Sequence, residues 1–515
     1  MTADKIIIID FGSQYTKLIA RKVRECHVYS EVMPCTADMS ALKNDNTVKG
    51  IILSGGPQSV YMKNAYSLAE LILSLNVPIL GICYGLQLLS HHFKGSVKGG
   101  KTREFGKTHI HITSAKGILA GLKKDLSVWM SHNDHIKKLP RGFTATSRSE
   151  NGLISSFEAV KEKIYGVQFH PEVNHTEQGI KILNNFLYKI CRIKNKWQMG
   201  SFIHEKVKEI KQLVGNEKAI CAMSGGVDSA VAAFMIHKAI GRNLICVHID
   251  NGLMRKNESA EIVKYFKNKL NLKFIDASKL FLKRLEGVSD PERKRKIIGK
   301  TFIDVFQDFA KKQAKGKNKI KFLVQGTLYP DVIESSSFHG PSVTIKTHHN
   351  VGGLPKSLHM QLIEPFRELF KDEVRVIGKI LNIPDVILGR HPFPGPGLAV
   401  RILGAVTKEK LDILREADYI YRQNLYKHGL YDKIWQAFAV LLPVSTVGVM
   451  GDSRTYEKVV ALRAVESVDG MTANWFPMPS KALEEISTGI TNNVKGINRV
   501  VYDISNKPPS TIEWE

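Results

Sequence analysis

Long hydrophobic runs are missing from this sequence: no stretch approaches the roughly 18 uninterrupted apolar residues of a membrane-spanning helix, which excludes a helical membrane protein. Cysteine is sparse. The six residues at 26, 35, 83, 191, 221 and 246 form no C-x-x-C pair, so neither a zinc site nor a disulfide framework is indicated and reduced thiols are expected. Acid is short as well, 49 Asp and Glu against 74 Lys and Arg, leaving a net charge of +25. The excess is concentrated at 283–300 (KRLEGVSDPERKRKIIGK) and at 311–321 (KKQAKGKNKIK), where six lysines stand without an acid. Such runs suit nucleic acid; the alternative is a solvated helix face with a lysine-rich surface loop on a chain that attracts small anionic nucleotides. The opening MTADK, followed by four isoleucines and an aspartate, lacks the apolar core of a secretory signal, so a cytoplasmic chain is expected.

What is present is enough for several hydrophobic cores. At 515 residues, with 43% apolar and 24% charged residues, the chain reads as soluble, globular and multidomain, about three domains by length. Three segments emerge. In the first, 1–195, KIIIIDFGSQYTKLIARKV is a strand, a loop and a helix, and the unit recurs in GIILSGGP (50–57) and VPILGICYGLQLLSHHF (77–93). The second, 200–395, restarts the pattern with strands in AICAM, NLICVHID, LKFIDA and KFLVQGT. After RHPFPGPGLAVRI the third, 396–515, has a long helical stretch at 407–428 and then β-leaning STVGVMG and INRVVYDI. The fold class expected is α/β, with two successive doubly wound, mostly parallel sheets followed by a smaller α+β region.

In GICYGLQ, Cys83 lies between Gly81 and Gly85 where a strand turns into a helix. Small neighbours permit a tight nucleophile elbow, and the amino end of the helix favours a thiolate. YGVQFHPE supplies His170 and Glu172 after another strand; residues i and i+2 of an extended chain project to one side, so Glu172 can orient the imidazole. GGPQSVY, GICYGLQ and FHPE resemble the class I glutamine amidotransferase family. The resemblance implies Cys83 as nucleophile, His170 as base and Glu172 as its partner. It further implies an oxyanion held by the N–H groups of Gly56 and Leu86, and glutamine's amino-acid end at Gln87 and Asp134.

The loop Ser224, Gly225, Gly226, Val227, Asp228, Ser229 breaks an apolar run as a phosphate cradle does, yet it has no Walker lysine. A carboxylate in an anion cradle repels phosphate unless a cation lies between, so the residues themselves call for Mg²⁺ at Asp228. The hexapeptide resembles the ATP pyrophosphatase loop of the N-type adenylating family, which splits ATP between its α and β phosphates; there the end of the next strand, Val247 to Asp250, borders the adenine.

The order of the segments, with TLYPDVIES, IKTHHNVGGLP, RHPFPGPGL and the terminal KPPSTIEWE, resembles the glutamine-hydrolysing GMP synthase family over nearly the whole chain. That resemblance implies glutamine, ATP and XMP as substrates and a homodimer. It implies XMP contacts at Arg295, Gln436, Arg499, Lys507, Ile512 and Glu513, and a lid lysine at Lys346. The histidines of THHNVGG read as lid rather than metal site, having no carboxylate or thiol beside them. Neither membrane nor nucleic acid is expected as a partner. The competing reading, a nucleic-acid module on an altered enzyme core, rests on the basic tract and is opposed by the complete Cys83, His170 and Glu172 set.

Overall fold

The computed structural model describes residues 3–313, 320–336, 360–450, 452–467, 470 and 472–515. Packing divides the chain into two units, Met1–Phe202 with Tyr329–Val351, and Ile203–Leu328 with Gly352–Glu515. Lys346 and its THHN neighbours lie outside the described residues, as do 314–319 of the lysine-rich tract.

In the first unit, four consecutive isoleucines need a strand covered on both faces, and β1 (Lys5–Asp10) meets that need: Ile6, Ile7, Ile8 and Ile9 are wholly buried. Eight further strands join it: β2 (Tyr29–Pro34), β3 (Val48–Leu53), β4 (Ile79–Ile82), β5 (Ser96–Ile112), β6 (Asp125–Lys138), β7 (Thr144–Ser149), β8 (Ile154–Ala159) and β9 (Ile164–Val167). Their order is β2-β1-β3-β4-β9-β8-β7-β5-β6. The strands from β2 to β9 run parallel, so the residues following β1, β3, β4 and β9 all emerge at one edge. That edge gathers Gly56, Cys83 and His170. The remaining strands extend the sheet antiparallel and bring Asp134, on β6, toward the same end.

The second unit begins with five parallel strands: β10 (Lys218–Ala222), β11 (Leu244–Asp250), β12 (Leu272–Asp276), β13 (Ile320–Val324) and β14 (Gln361–Ile363). The order β12-β11-β10-β13-β14 reverses direction between β10 and β13. At such a switch point the loops leave the sheet on opposite sides and open a crevice. SGGVDS follows β10 there, and Gly326, just after β13, is so close that a methyl on it would lie 3.5 Å from the Asp228 carbonyl carbon.

The last strands are β15 (Gln436–Met450), β16 (Ser453–Glu466), β17 (Asn474–Trp475) and β18 (Ile497–Asp503). β15 and β16 form a long hairpin, and β18 joins β16 in parallel. The helices α1 (Lys408–Lys427) and α2 (Ser480–Asn493) cover the sheet through Leu411, Leu414, Tyr421, Ile486 and Ile490. These side chains share one cluster with Ile220, Val247 and Leu323 of the parallel sheet. The expected α/β class is the one observed. Among the described residues no helix is long and apolar enough to cross a membrane.

His391, in the Pro- and Gly-rich connection, is buried and lies flat against Tyr431, ring centroids 3.8 Å apart. Its Nδ1 accepts the Ala437 N–H at 3.2 Å while Nε2–H donates to the Tyr431 carbonyl at 2.9 Å, so the neutral ring satisfies both partners. Burial, aided by Arg255 and Arg422, pushes its pKa down to about 4. A histidine depressed on folding stabilises the native state fully above its unfolded value and loses that contribution as pH falls toward the folded one. Urea unfolding of the intact chain is therefore expected to lose about 2 kcal/mol from this group between pH 6.5 and 5. The variant His391→Gln should lose less over the same interval; an equal loss in both chains contradicts the assignment.

Candidate active site

Cys83 caps the helix Tyr84–His92 with φ 53° and ψ −105°, a left-handed conformation that costs a non-glycine residue energy. The neighbours leave no alternative to glycine: a Cβ on Gly81 would come within 2.6 Å of Gly85, and one on Gly85 within 2.4 Å of the Leu53 carbonyl. The first turn of a helix has N–H groups without intrahelical partners. Here Gly85 N–H donates to Ser54 O at 3.0 Å and Gln87 N–H to Cys83 O at 3.2 Å. Gly56 packs against the start of the same helix, where a Cβ would meet the Tyr84 ring at 3.2 Å.

His170 and Glu172 are both buried, and Nδ1–H of the imidazole donates to Glu172 Oε1 at 2.7 Å. The pairing arises differently from the extended-strand expectation. β9 stops at Val167, and the two residues sit in a turn held by the His170 N–H on Trp129 O (3.0 Å) and by Thr176 Oγ1 on His170 O (2.7 Å). Pro171 between them cannot extend the ladder, having no N–H. Burial works against an imidazolium at His170, but the Glu172 charge and hydrogen bonds to Cys83 and Glu172 outweigh it and hold the ring well above its ordinary value. The grouping sets a cysteine sulfur beside an imidazole that Glu172 orients, a nucleophile with a proton-transfer partner in place.

The neighbouring polar groups are tightly interlocked. Gln87 Nε2 donates to Asp134 O at 2.9 Å and to Gln168 Oε1 at 3.1 Å, and Gln168 Nε2 points at Cys83 Sγ from 3.7 Å. Both Gln87 amide hydrogens are thus engaged by the protein, which makes this side chain a brace of the pocket. Tyr61 donates its hydroxyl to Asp134 Oδ1 at 3.0 Å, and the Tyr15 ring lies 4.7 Å from His170. Sequence reading missed Tyr15, Tyr61 and Gln168, although Tyr61 closes the quoted motif GGPQSVY.

In the second unit Gly225 has φ 83°, the turn that swings the chain from β10 into the helix Val227–Ile240. Ser224 Oγ lies 3.2 Å from Ser229 Oγ, at the start of a helix whose first-turn N–H groups have no intrahelical acceptors. Asp228 Oδ1 is buried without a hydrogen-bond partner among the described residues, while Lys371 Nζ stands 3.6 Å from Oδ2. Arg390 donates to Gly225 O at 3.4 Å. Lys371 and Arg390 are the cations beside the loop, and Arg390 also pairs with Glu258 and Glu261 at 3.7 Å. Val247 is wholly buried within β11, and its carbonyl accepts the Met223 N–H at 2.8 Å.

The terminal residues are anchored. Ile512 is buried among Phe438, Val440 and Ala473, and Arg401 grips Glu513 with two bonds of 3.1 and 2.8 Å. Gln436 Nε2 donates to the same carboxylate at 2.7 Å. Arg295 reaches the Glu515 carbonyl, and Lys294 is fully buried on the carbonyls of Ala399 and Ile402. Lys294 thus departs from the solvated helix face that is one of the two readings of the basic runs. Arg499 donates to Thr446 Oγ1 at 3.3 Å and Lys507 to Gly470 O at 2.8 Å, contacts outside the Gln436 and Glu513 group. Arg401 was not singled out from sequence.

A cysteine elbow at the end of a parallel strand and a Ser- and Gly-rich loop at a second sheet's switch point are the local features of a glutamine-dependent, ATP-using ligase. Residues 7–190 match the glutamine amidotransferase class-I model, 423–514 the GMP synthase C terminal domain and 214–290 the thiamine biosynthesis protein (ThiI). Proteins named GMP synthase [glutamine-hydrolyzing] are similar along the full length: that of Aquifex aeolicus is 55% identical over 511 residues, that of Chlorobium chlorochromatii 55% over 516 and that of Oleidesulfovibrio alaskensis 53% over 520. Each match spans 99% of both chains. The chain belongs to the glutamine-hydrolysing GMP synthase family.

Proposed function

We propose that this chain converts XMP to GMP with glutamine as nitrogen donor and ATP as activator. The observation that carries the reading is the presence in one chain of the Cys83, His170, Glu172 grouping and of an SGGVDS loop in which Asp228 Oδ1 is buried without a hydrogen-bond partner among the described residues. Protein mixed with XMP, Mg·ATP and glutamine should yield GMP, AMP, pyrophosphate and glutamate in equal amounts; tight nucleic-acid binding at moderate salt with no XMP turnover would favour the rival reading.

In the first step the Cys83 thiolate attacks the carboxamide carbon of glutamine. Gly56 and Leu86 N–H groups hold the developing oxyanion, a contribution of about 3–4 kcal/mol per donor. His170 passes its proton to the departing ammonia and then takes one from the water that hydrolyses the thioester, with Glu172 steadying the imidazolium. In the second unit, O2 of the XMP base attacks the α-phosphorus of ATP and pyrophosphate leaves into the cradle of Ser224, Gly225, Gly226, Val227, Asp228 and Ser229. Ammonia then attacks C2 and AMP departs. Adenylation is needed because a carbonyl oxygen is a poor leaving group and a phosphate ester is a good one. Lys371 and Arg390 offset the charge of the leaving group. Asp228 fits Mg²⁺, since one carboxylate plus substrate phosphates is the ion's usual protein environment. When bound, Mg²⁺ would neutralise phosphate charge beside that carboxylate.

Segments 1–195, 200–395 and 396–515 are proposed as functional divisions: glutaminase, adenylation and XMP binding. Arg295, Gln436, Arg499, Lys507, Ile512 and Glu513 are assigned to XMP. Support is strongest at Glu513, which Arg401 and Gln436 hold rigidly. Removing residues 511–515 should raise the KM for XMP about tenfold or more while glutaminase activity persists. Glu513→Gln, which keeps the tail, should shift KM in the same direction. An unchanged KM in both variants refutes the assignment. We also assign a homodimer through the final sheet, where Val447, Val449 and Tyr456 are exposed on the β15–β16 hairpin. A cytoplasmic setting, in which the free thiols stay reduced, completes the reading.

A further inference from the structure

We propose that Tyr61 is a specificity-determining residue of the glutaminase pocket, and that the buried pair Glu104 and His132 positions the backbone on which it works. The proposal rests on the reading that Asp134 receives the α-ammonium of glutamine. Tyr61 is half exposed, and its hydroxyl donates to Asp134 Oδ1 at 3.0 Å. Among the described residues Oδ2 has no hydrogen-bond partner. One oxygen is thereby fixed by the tyrosine, and the other is left to accept a cation.

The backbone beneath Asp134 is fixed independently. Its carbonyl accepts two donors, His132 Nδ1–H at 2.9 Å and Gln87 Nε2 at 2.9 Å. A carbonyl can only accept, so Nδ1 must carry a proton. The other ring nitrogen, Nε2, meets Glu104 Oε2 at 3.0 Å, and Glu104 Oε1 accepts from Asn151 at 2.9 Å. Both His132 and Glu104 are buried, so this pair is shielded from solvent and locks the ring orientation. Gly99 lies opposite Asp134 in the β5–β6 ladder. A Cβ there would come 3.0 Å from the Tyr61 hydroxyl and 3.5 Å from Asp134 Oδ1. Glycine at 99 leaves the space in which hydroxyl and carboxylate meet.

The arrangement selects for a cationic group next to the reacting amide. The test compares glutamine with glutaramate, which has the same terminal amide and hydrogen in place of the ammonium. Tyr61→Phe should raise the KM for glutamine about five- to tenfold, leave kcat within about twofold, and leave kcat/KM for glutaramate unchanged. Gly99→Ala should act in the same direction. Ammonia-driven GMP formation, which takes place in the other unit, monitors folding. Equal losses on both amides, or a fall in kcat alone, would overturn the proposal. Asp134→Asn separates the two layers: an unchanged KM for glutamine there means the assignment of Asp134 has failed. A raised KM in Asp134→Asn with none in Tyr61→Phe means that the role given to Tyr61 has failed.

Discussion

Cys83→Ala is expected to abolish glutamine-dependent GMP formation, by about four orders of magnitude or more, while formation from added ammonia continues. The size follows from the chemistry: without sulfur no thioester can form, and the remaining oxyanion donors accelerate only direct attack by water. The selectivity follows from the fold. Cys83 stands at the end of β4 in the first unit, whereas the cradle, Lys371 and Arg390 belong to the second. Alanine is smaller than cysteine and accommodates the same backbone elbow at similar strain, so the second unit should be untouched. Steady-state rates with each nitrogen source decide the matter, and equal loss with both would remove Cys83 from the glutaminase role.

Asp228→Asn has the opposite signature: activity is lost with either nitrogen source, by about two to three orders of magnitude, and glutamine hydrolysis survives. The substitution preserves shape but removes the charge that faces Lys371 at 3.6 Å, from a carboxylate whose Oδ1 is buried without a hydrogen-bond partner among the described residues. A neutral amide cannot hold Mg²⁺ against phosphate as a carboxylate does. Pyrophosphate release from ATP and XMP without any nitrogen donor isolates this step. Full release by the variant would defeat the metal assignment, whereas partial recovery at high Mg²⁺ would agree with it.

The two predictions draw on parts of the chain that differ in how far sequence reading reaches. The Cys83 elbow and the SGGVDS loop are contiguous motifs whose demands are local. Glycines beside a positive φ, a strand before and a helix after restrict such segments to few conformations, and the backbone angles at Cys83 and Gly225 are of that kind. The His170 and Glu172 contact was legible too, although a turn rather than a strand produces it. Residues that act from afar were not legible. Tyr61 reaches Asp134 across 73 positions and Arg401 reaches Glu513 across 112, separations over which periodicity and propensity carry no information. Lys294 shows the reverse: a lysine inside a basic run reads as solvated, yet three acceptors hold it in the interior.

By itself the sequence determined the α/β class, the strand, loop and helix units, and the chemical types available at each turn, because hydrophobic period and backbone freedom are properties of neighbouring residues. Only the tertiary structure decided which turns face one another. Strand order brings the ends of β3, β4 and β9 to one edge and places Gly326 and Lys371 against Asp228, and strand order is set by the packing of whole sheets rather than by any short stretch of chain.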